Sequence, residues 1–231
     1  MLDFDGVLAP IVPVHNSARM SAHTRRLLSA CAERGKVVVI SGRSLSDVRS
    51  RVGLRSVWYA GNHGAEWKMG KIGGRTRLTR AVRANIRAAL DECAKLSQMY
   101  SGVLVEDKKL TFSVHFRSLA PARQKIFRAH VRRVAKRFEG LLDFEEGSEF
   151  IINVRSHVGR TKGDAVLLAR GYAREGLIPI YIGDDTTDED AFRALPRGIT
   201  IRVGKSRGSA ARFFVRARAD VDAILAMLAR S

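Results

Sequence analysis

Ile180-Tyr181-Ile182-Gly183-Asp184-Asp185-Thr186-Thr187-Asp188 is the stretch that decides the fold. An apolar run ends at a glycine and delivers two adjacent acids, with a third where the next helical pattern begins. This reads as a buried strand whose C-terminal end carries chemistry, because in open α/β sheets ligands collect beyond the carboxyl ends of the parallel strands. Like charges crowded in a poorly solvated site repel by on the order of several kcal/mol unless a cation neutralises them. Oxygen-only ligation favours Mg²⁺. An acidic surface turn is the ordinary alternative for such a run.

Outward from that strand the chain alternates. The pattern predicts strands at the start of the chain to residue 4, over 36–40, 56–60, 178–182 and 199–203. Helices are predicted over 21–34, 44–52, 161–174, 188–195 and 219–229. Strand, helix, strand at this spacing means a parallel sheet with helices on its faces, an α/β fold. The rhythm breaks after Gly70-Lys71-Ile72-Gly73-Gly74, read as a flexible stretch, and resumes at Thr161.

The interruption reads as an inserted α/β module over 75–157, leaving 1–74 and 158–231 as the core. Val82, Ile86, Leu90 and Cys93 mark one helix; Phe127, Val131, Val134 and Phe138 mark another. Leu110, Phe112, Val114 and Phe116 alternate with Thr111, Ser113, His115 and Arg117, and Phe150, Ile152 and Val154 oppose Glu149, Asn153 and Arg155, with Ile151 the exception. Two helices can cover the apolar face of such a sheet and leave its polar face open.

Three further motifs fall where the sheet would bring them to one end. Asp3-Phe4-Asp5-Gly6 sets two carboxylates two residues apart before a glycine, suited to a nucleophile and an acid/base partner around a divalent cation; the plain reading is an acidic loop. Ser41-Gly42-Arg43 precedes a helix that Ser44 and Asp47 can cap, and a hydroxyl with free amides at a helix N-terminus suits a phosphoryl oxygen. An ordinary strand-to-helix turn would look the same. Lys162, next to a candidate cap at Thr161, could join an attacking carboxylate to an incoming phosphate, though a lone lysine is commonly solvated surface. Gly159-Arg160-Thr161-Lys162-Gly163 lacks the Gly-Lys-Ser/Thr ending of a nucleotide-binding P-loop.

The 231 residues are 45% hydrophobic and 28% charged, with 5 Pro, which places the chain among ordinary globular proteins and excludes a disordered or fibrous one. The longest proline-free apolar run, Ala223 to Ala229, falls far short of the roughly 20 residues of a membrane span. With no leader pattern at Met1-Leu2-Asp3-Phe4-Asp5, a cytoplasmic protein is expected. Cys31 and Cys93 read as reduced core residues. The formal net charge of +18 invites a nucleic-acid reading, but the basic residues run from Arg19 to Arg230 and sit on helix faces such as Arg80, Arg83 and Arg87. Surface charge, with some steering of an anionic small substrate, accounts for them, and no nucleic-acid partner is expected.

The ordered set Asp3-x-Asp5-Gly6, Ser41-Gly42-Arg43, Lys162 and Gly183-Asp184-Asp185-x-x-Asp188 resembles the haloacid dehalogenase-like phosphatases, whose core is Rossmann-like and some of whose caps are inserted where the module lies here. Gly61-Asn62-His63-Gly64-Ala65-Glu66, Val105-Glu106-Asp107-Lys108, Val114-His115-Phe116-Arg117 and the run from Gly183 to Phe192 look like the trehalose-6-phosphate phosphatase family within it. That resemblance implies that Asp3 attacks phosphorus, that Asp5 acts as general acid and then base, and that Ser41 and Lys162 bind the phosphoryl group, joined by the amides of Gly42 and Arg43 that the helix N-terminus offers. It implies Mg²⁺ held by Asp3, the Asp5 main-chain carbonyl and Asp184, with Asp185 and Asp188 in support. It further implies a sugar phosphate, met by cap residues including Glu106 and Lys108, and the alternation of the sheet independently sets His115, Asn153 and Arg155 on its polar face; Asn62 and His63 are further candidates for the sugar, with His63 otherwise a loop cap, and Arg117 and Arg155 are equally candidates for ion pairs within the sheet. A monomer is expected.

Two departures stand out. Asn153-Val154-Arg155-Ser156 replaces the family's usual Glu-Leu-Arg-Pro, removing a sugar-binding carboxylate. Met1 precedes Asp3 by only two residues, short of the about five of a usual strand, which suggests residues upstream. Sucrose phosphate or glucosylglycerol phosphate are rival substrates, and a basic nucleic-acid-binding protein on a degenerate phosphatase fold is the rival of a different class.

Overall fold

The structure, a computed structural model, describes residues 1–12, 17–147, 150–173 and 176–230. Glu149, expected on the polar sheet face, lies outside the described residues. The chain divides into two compact units: Met1–Arg75 with Arg160–Ser231, and Thr76–Gly159.

The first unit is the expected α/β core. Along the chain it holds α1 (Ala22–Arg34), β1 (Val38–Ile40), α2 (Leu45–Val52), β2 (Trp58–Gly61), β3 (Glu66–Met69) and β4 (Ile72–Arg75). The second unit follows, with α3 (Arg80–Gln98), β5 (Leu104–Asp107), β6 (Phe112–His115), α4 (Pro121–Arg137), β7 (Leu142–Gly147) and β8 (Ile151–Ser156). The chain then returns to the core through α5 (Lys162–Tyr172), β9 (Ile180–Gly183), α6 (Glu189–Arg193), β10 (Ile199–Val203), β11 (Phe213–Val215) and α7 (Arg218–Leu228).

The core sheet has two parts, β1-β2-β3-β4 and β9-β10-β11, and Leu2 bridges them in parallel to Val39 on one side and Ile182 on the other. Leu2 N–H donates to Val38 O at 2.9 Å and Asp3 N–H to Ile182 O at 2.9 Å, so the short opening segment is the central strand. Strands β1, β2, β9, β10 and β11 run parallel, and β3 and β4 are antiparallel additions. Both faces are buried. Val39 and Ile182 meet Leu28 of α1 and Val221 and Leu225 of α7 on one side; Val38, Ile40 and Tyr181 meet Ala165, Val166 and Phe192 of α5 and α6 on the other. Continuous apolar strands are what two covered faces demand.

The glycine-rich stretch read as flexible is a hairpin instead. Met69 pairs with Ile72 across a turn in which Gly70 has φ +63°. A Cβ on Gly74 would lie 2.4 Å from the Trp67 ring, so the glycine there makes room for a tryptophan. The helix expected over 188–195 is shorter, beginning at Glu189 after a 3₁₀ turn at Thr186–Asp188.

In the second unit the four strands form an antiparallel sheet in the order β5-β6-β8-β7. Phe112, Val114, Ile152 and Val154 pack with Ile86, Leu90, Phe127 and Val131 of α3 and α4, so one face is covered by the two helices. Phe150 has φ +56° and sits before β8 rather than in it, its ring edge-on to Phe116 at 6.0 Å. Cys31 and Cys93 are both buried free thiols. No helix among the described residues is long and apolar enough to cross a membrane.

Candidate active site

The carboxyl ends of the central strands gather the sequence motifs. Asp3, 5% exposed, follows Leu2; its Oδ1 accepts from Phe4 N–H at 2.6 Å and its Oδ2 accepts from Lys162 Nζ at 2.6 Å. Lys162 is the first residue of α5, whose N-terminus is fixed by a capping box between Thr161 and Asp164. Its ammonium also donates to Asp188 Oδ1 at 2.7 Å. The same oxygen accepts from Tyr181 Oη at 2.6 Å, while Asp188 Oδ2 accepts from the main-chain N–H groups of Asp184 and Asp185, both at 2.9 Å.

The charges do not balance inside this cluster. Carboxylate oxygens of Asp3, Asp184 and Asp188 lie within 4.8 Å of one another, and Lys162 is the cation bonded among them. Burial, with Asp188 adding to it against the pull of Lys162, pushes the Asp3 carboxyl up to about 8. Burial and the charges of Asp3 and Asp188 push Asp184 well above the usual carboxylate range. For Lys162, burial works against the charge but Asp188 and Asp3 outweigh it and hold the ammonium above its ordinary value. A hard divalent cation fits this oxygen-rich, under-neutralised set. Close approach is built in: a Cβ on Gly6 (φ +72°) would stand 1.9 Å from Asp184 Oδ2.

Asp5 and Asp185 fall outside the triad of carboxylates. The Asp5 carboxylate is held by Arg43, Nε to Oδ2 and Nη2 to Oδ1, both 2.7 Å. The sequence set the hydroxyl and amides of Ser41-Gly42-Arg43 at the phosphoryl group; the Arg43 guanidinium is 1% exposed and bonds Asp5 and, at 3.0 Å, Asp47. Ser41, 1% exposed, ends β1 and its Oγ accepts from Arg43 N–H at 3.1 Å. Loop 61–64 docks onto this turn: Asn62 N–H donates to Arg43 O at 2.7 Å and His63 N–H to Ser41 O at 3.0 Å. Asn62 and His63 both hold left-handed φ, 49° and 55°, uncommon outside glycine and costly enough to need surrounding support. A Cβ on Gly42 would meet the His63 ring at 2.7 Å, so that glycine lets the imidazole lie against the turn. Asn62 Nδ2 donates to Glu66 Oε2 at 2.9 Å.

The second unit carries its own polar cluster on the sheet face away from its helices. Cross-strand register aligns Glu106, Ser113, Asn153 and Glu145 in one row over β5, β6, β8 and β7. Lys108 Nζ donates to Ser113 Oγ at 2.7 Å, and Ser113 Oγ donates to Asn153 Oδ1 at 2.7 Å. His115 Nε2 and Glu106 Oε2 are 3.1 Å apart. Arg155 pairs with Glu145 at 2.5 Å and Asp143 at 3.3 Å, which makes it an ion-pair residue of this sheet. Arg117 lies half-buried in the turn after β6.

Sequence reasoning passed over Tyr181, Arg202 and Glu66. Arg202 binds the main-chain carbonyls of Asp184 at 2.8 Å and Asp185 at 3.1 Å and the Glu189 carboxylate at 2.7 Å, so it clamps the acidic turn from behind. A hydroxyl in one apolar strand and a lone charge in another were the available signals. Glu66 also accepts from Leu45 N–H at 3.1 Å, capping α2 from a distance that no local spacing reveals.

The family model described as Trehalose-phosphatase matches residues 1–218. The trehalose-phosphate phosphatase of Mycobacterium tuberculosis (strain H37Rv) is 35% identical over 240 residues, covering 99% of this chain and 60% of that protein. The probable trehalose-phosphate phosphatase 4 of Oryza sativa is 33% identical over 215 residues, covering 88% of this chain and 58% of that protein. The chain thus spans about 60% of the length of the mycobacterial relatives it matches. Among solved structures, the C-terminal domain of Candida albicans trehalose-6-phosphate phosphatase superposes with a TM-score of 0.84 at 20% identity, covering 99% of this chain and 90% of that one. A trehalose-6-phosphate phosphatase related protein gives 0.80 at 23% identity, covering 99% and 96%. With the sequence match running through every motif of the acidic cluster, the chain belongs to the trehalose-phosphatase family.

Proposed function

We propose that the protein is a Mg²⁺-dependent phosphatase that hydrolyses trehalose 6-phosphate to trehalose and phosphate through an aspartyl-phosphate. The observation that carries this reading is the buried Asp3–Lys162–Asp188 chain beside Asp184, a nucleophilic carboxylate held in place within an under-neutralised acidic pocket. Asp3 Oδ attacks phosphorus as the bond from phosphorus to the sugar oxygen breaks, and Asp5 gives that oxygen its proton. Asp5 then takes a proton from the water that attacks the aspartyl-phosphate, releasing phosphate and restoring both groups. Asp3, Asp184 and the Asp5 main-chain carbonyl would hold the metal, and Asp188 and Asp185 support it. When bound, the cation neutralises charge on the transferring phosphoryl group.

Ser41, the amides of the Gly42-Arg43 turn and Lys162 would bind that group. The unit Thr76–Gly159 would supply sugar specificity through Glu106, Lys108, His115 and Asn153, a mix of charged and neutral hydrogen-bonding groups on the sheet face away from its helices, where Lys108 and Asn153 are buried. Asn62, His63 and Arg117 complete the candidate sugar contacts. Family membership and relatives named as trehalose-phosphate phosphatases favour trehalose 6-phosphate over other sugar phosphates.

The test is phosphate release from trehalose 6-phosphate, sucrose 6-phosphate and glucosylglycerol phosphate, with Mg²⁺, with Ca²⁺ and with EDTA. Activity confined to Mg²⁺ and highest on trehalose 6-phosphate is expected. Ca²⁺, with more and longer bonds to oxygen, should restore little. Full turnover in EDTA, or preference for another sugar, overturns the metal or the substrate assignment respectively.

A further inference from the structure

We propose that Arg43 is the positioning residue for the acid–base carboxylate of Asp5, a rigid fork that fixes where and how that carboxylate points while phosphorus is transferred to Asp3. The inference rests on the phosphatase reading above and assigns a role to the Arg43 side chain, where the sequence had considered only the amides of its turn.

The two partners differ in freedom. The Arg43 side chain is 1% exposed and among the largest fully buried side chains of the chain. It is held from several sides. Its Nη1 meets Asp47 at 3.0 Å, its guanidinium carbon stands 5.5 Å from the Phe4 ring centre, and its main chain is tied to Ser41 Oγ and Asn62 N–H. Asp47 is itself anchored, accepting from Arg51 Nε at 2.8 and 2.9 Å, and Arg51 Nη1 bonds Ala18 O at 2.7 Å. The Asp5 side chain, by contrast, is 32% exposed. A fixed guanidinium with an accessible carboxylate is the arrangement of a holder and a working group.

Geometry explains why arginine is needed. A bidentate fork sets both the position and the plane of a carboxylate, whereas a lysine ammonium is a point charge that leaves the plane free. Proton transfer to a departing oxygen needs that orientation, since the donor must come within hydrogen-bond reach of the acceptor. The proton leaves Asp5 for the sugar oxygen as the phosphorus–oxygen bond breaks, and the carboxylate that results is the form both arms of Arg43 bind.

The test compares kcat/KM, which reports the step that expels the alcohol, for Arg43→Lys and the parent on two esters. One is the sugar phosphate the parent hydrolyses best. The other is p-nitrophenyl phosphate, whose leaving group departs without a proton. Arg43→Lys should lose roughly 10- to 100-fold on the sugar ester, part of the roughly 10²- to 10⁴-fold that general acid–base groups supply, and less than about threefold on the aryl ester. Asp47→Asn, which removes only the anchor, should shift the same ratio in the same direction by a smaller factor, and it serves if Arg43→Lys fails to fold. Equal losses on both esters would make Arg43 a scaffold or phosphate-binding residue and overturn the proposal alone. No loss on either would overturn it as well. A folded parent that releases phosphate from neither ester with Mg²⁺ overturns the phosphatase reading, and the proposal with it.

Discussion

Replacing Asp184 with asparagine should make the metal-free protein more stable and at the same time deaf to Mg²⁺. An ionised Asp184 faces two carboxylates, Asp3 and Asp188, within 4.8 Å, and one cation, Lys162, which already bonds both of them at 2.6 and 2.7 Å. Above about pH 8, where Asp3 is ionised as well, its surroundings amount to about one net negative charge at that range. At an effective dielectric constant of about 20 the repulsion is about 3 kcal/mol. Burial and its neighbours push Asp184 well above the usual carboxylate range, so taking up a proton relieves part of this repulsion and about 3 kcal/mol is an upper bound. At roughly 2–4 °C per kcal/mol for a chain of this size, Asp184→Asn should melt up to about 10 °C higher in EDTA. The parent should gain about 2.7 kcal/mol when Mg²⁺ is raised to a hundredfold over its Kd, and the variant should gain almost nothing. Thermal melts of both proteins above about pH 8, with EDTA and across a Mg²⁺ series, read this directly. A variant that melts lower than the parent in EDTA, or that responds equally to Mg²⁺, refutes the idea that these carboxylates form an under-neutralised cation site.

Asp3→Asn should fold and abolish turnover, since an amide is a poor nucleophile; activity within about tenfold of the parent, set against the roughly 10²- to 10⁴-fold that such groups contribute, contradicts the mechanism. The same variant tests the protonation of the site: with a folded-state value of about 8 against 3.8, Asp3 adds stability that is complete below about pH 4 and lost as pH climbs through 8, so in EDTA the parent should melt progressively lower than Asp3→Asn between pH 5 and 8. A gap that stays constant with pH removes the raised Asp3. Asn153→Glu should raise kcat/KM for trehalose 6-phosphate several-fold, about 1 kcal/mol, while leaving p-nitrophenyl phosphate unchanged. It should also lower the melting temperature, because the new carboxylate faces Glu145 directly across the strands. Equal shifts on both esters place Asn153 in the scaffold.

The parallel core was legible because burial on two faces writes itself into short apolar strands such as Val38–Ile40, and the motifs sit where those strands end. The same logic failed at Gly70-Lys71-Ile72-Gly73-Gly74. There the glycines serve a hairpin turn and the bulk of Trp67 on the neighbouring strand, a partner that composition does not display. The polar sheet face of the second unit could be read from alternation. Its internal bonds could not, because Lys108, Ser113 and Asn153 are joined by a register spanning 40 residues in sequence. Arg43 is the instructive case. Its place at a helix N-terminus argued for phosphate, while Asp5, 38 residues earlier, had claimed its side chain.

Asp188 shows why a motif can be recognised without its parts being understood. Three acids in Gly183-Asp184-Asp185-x-x-Asp188 suggest three metal ligands, yet both oxygens of Asp188 are engaged by the protein itself. One holds Lys162 and Tyr181; the other collects the two successive amides that turn the chain after β9. A Cβ on Gly183 would stand 2.3 Å from the Asp188 carboxyl carbon, so the glycine exists to admit that carboxylate. Arg202 pins the carbonyls of the same turn from the other side. The motif is therefore first a device for folding the backbone tightly at the end of a buried strand, and this is what leaves the Asp184 side chain aimed at Asp3. Spacing alone reports that acids are needed there; it does not separate the one that shapes the turn from the one the turn presents.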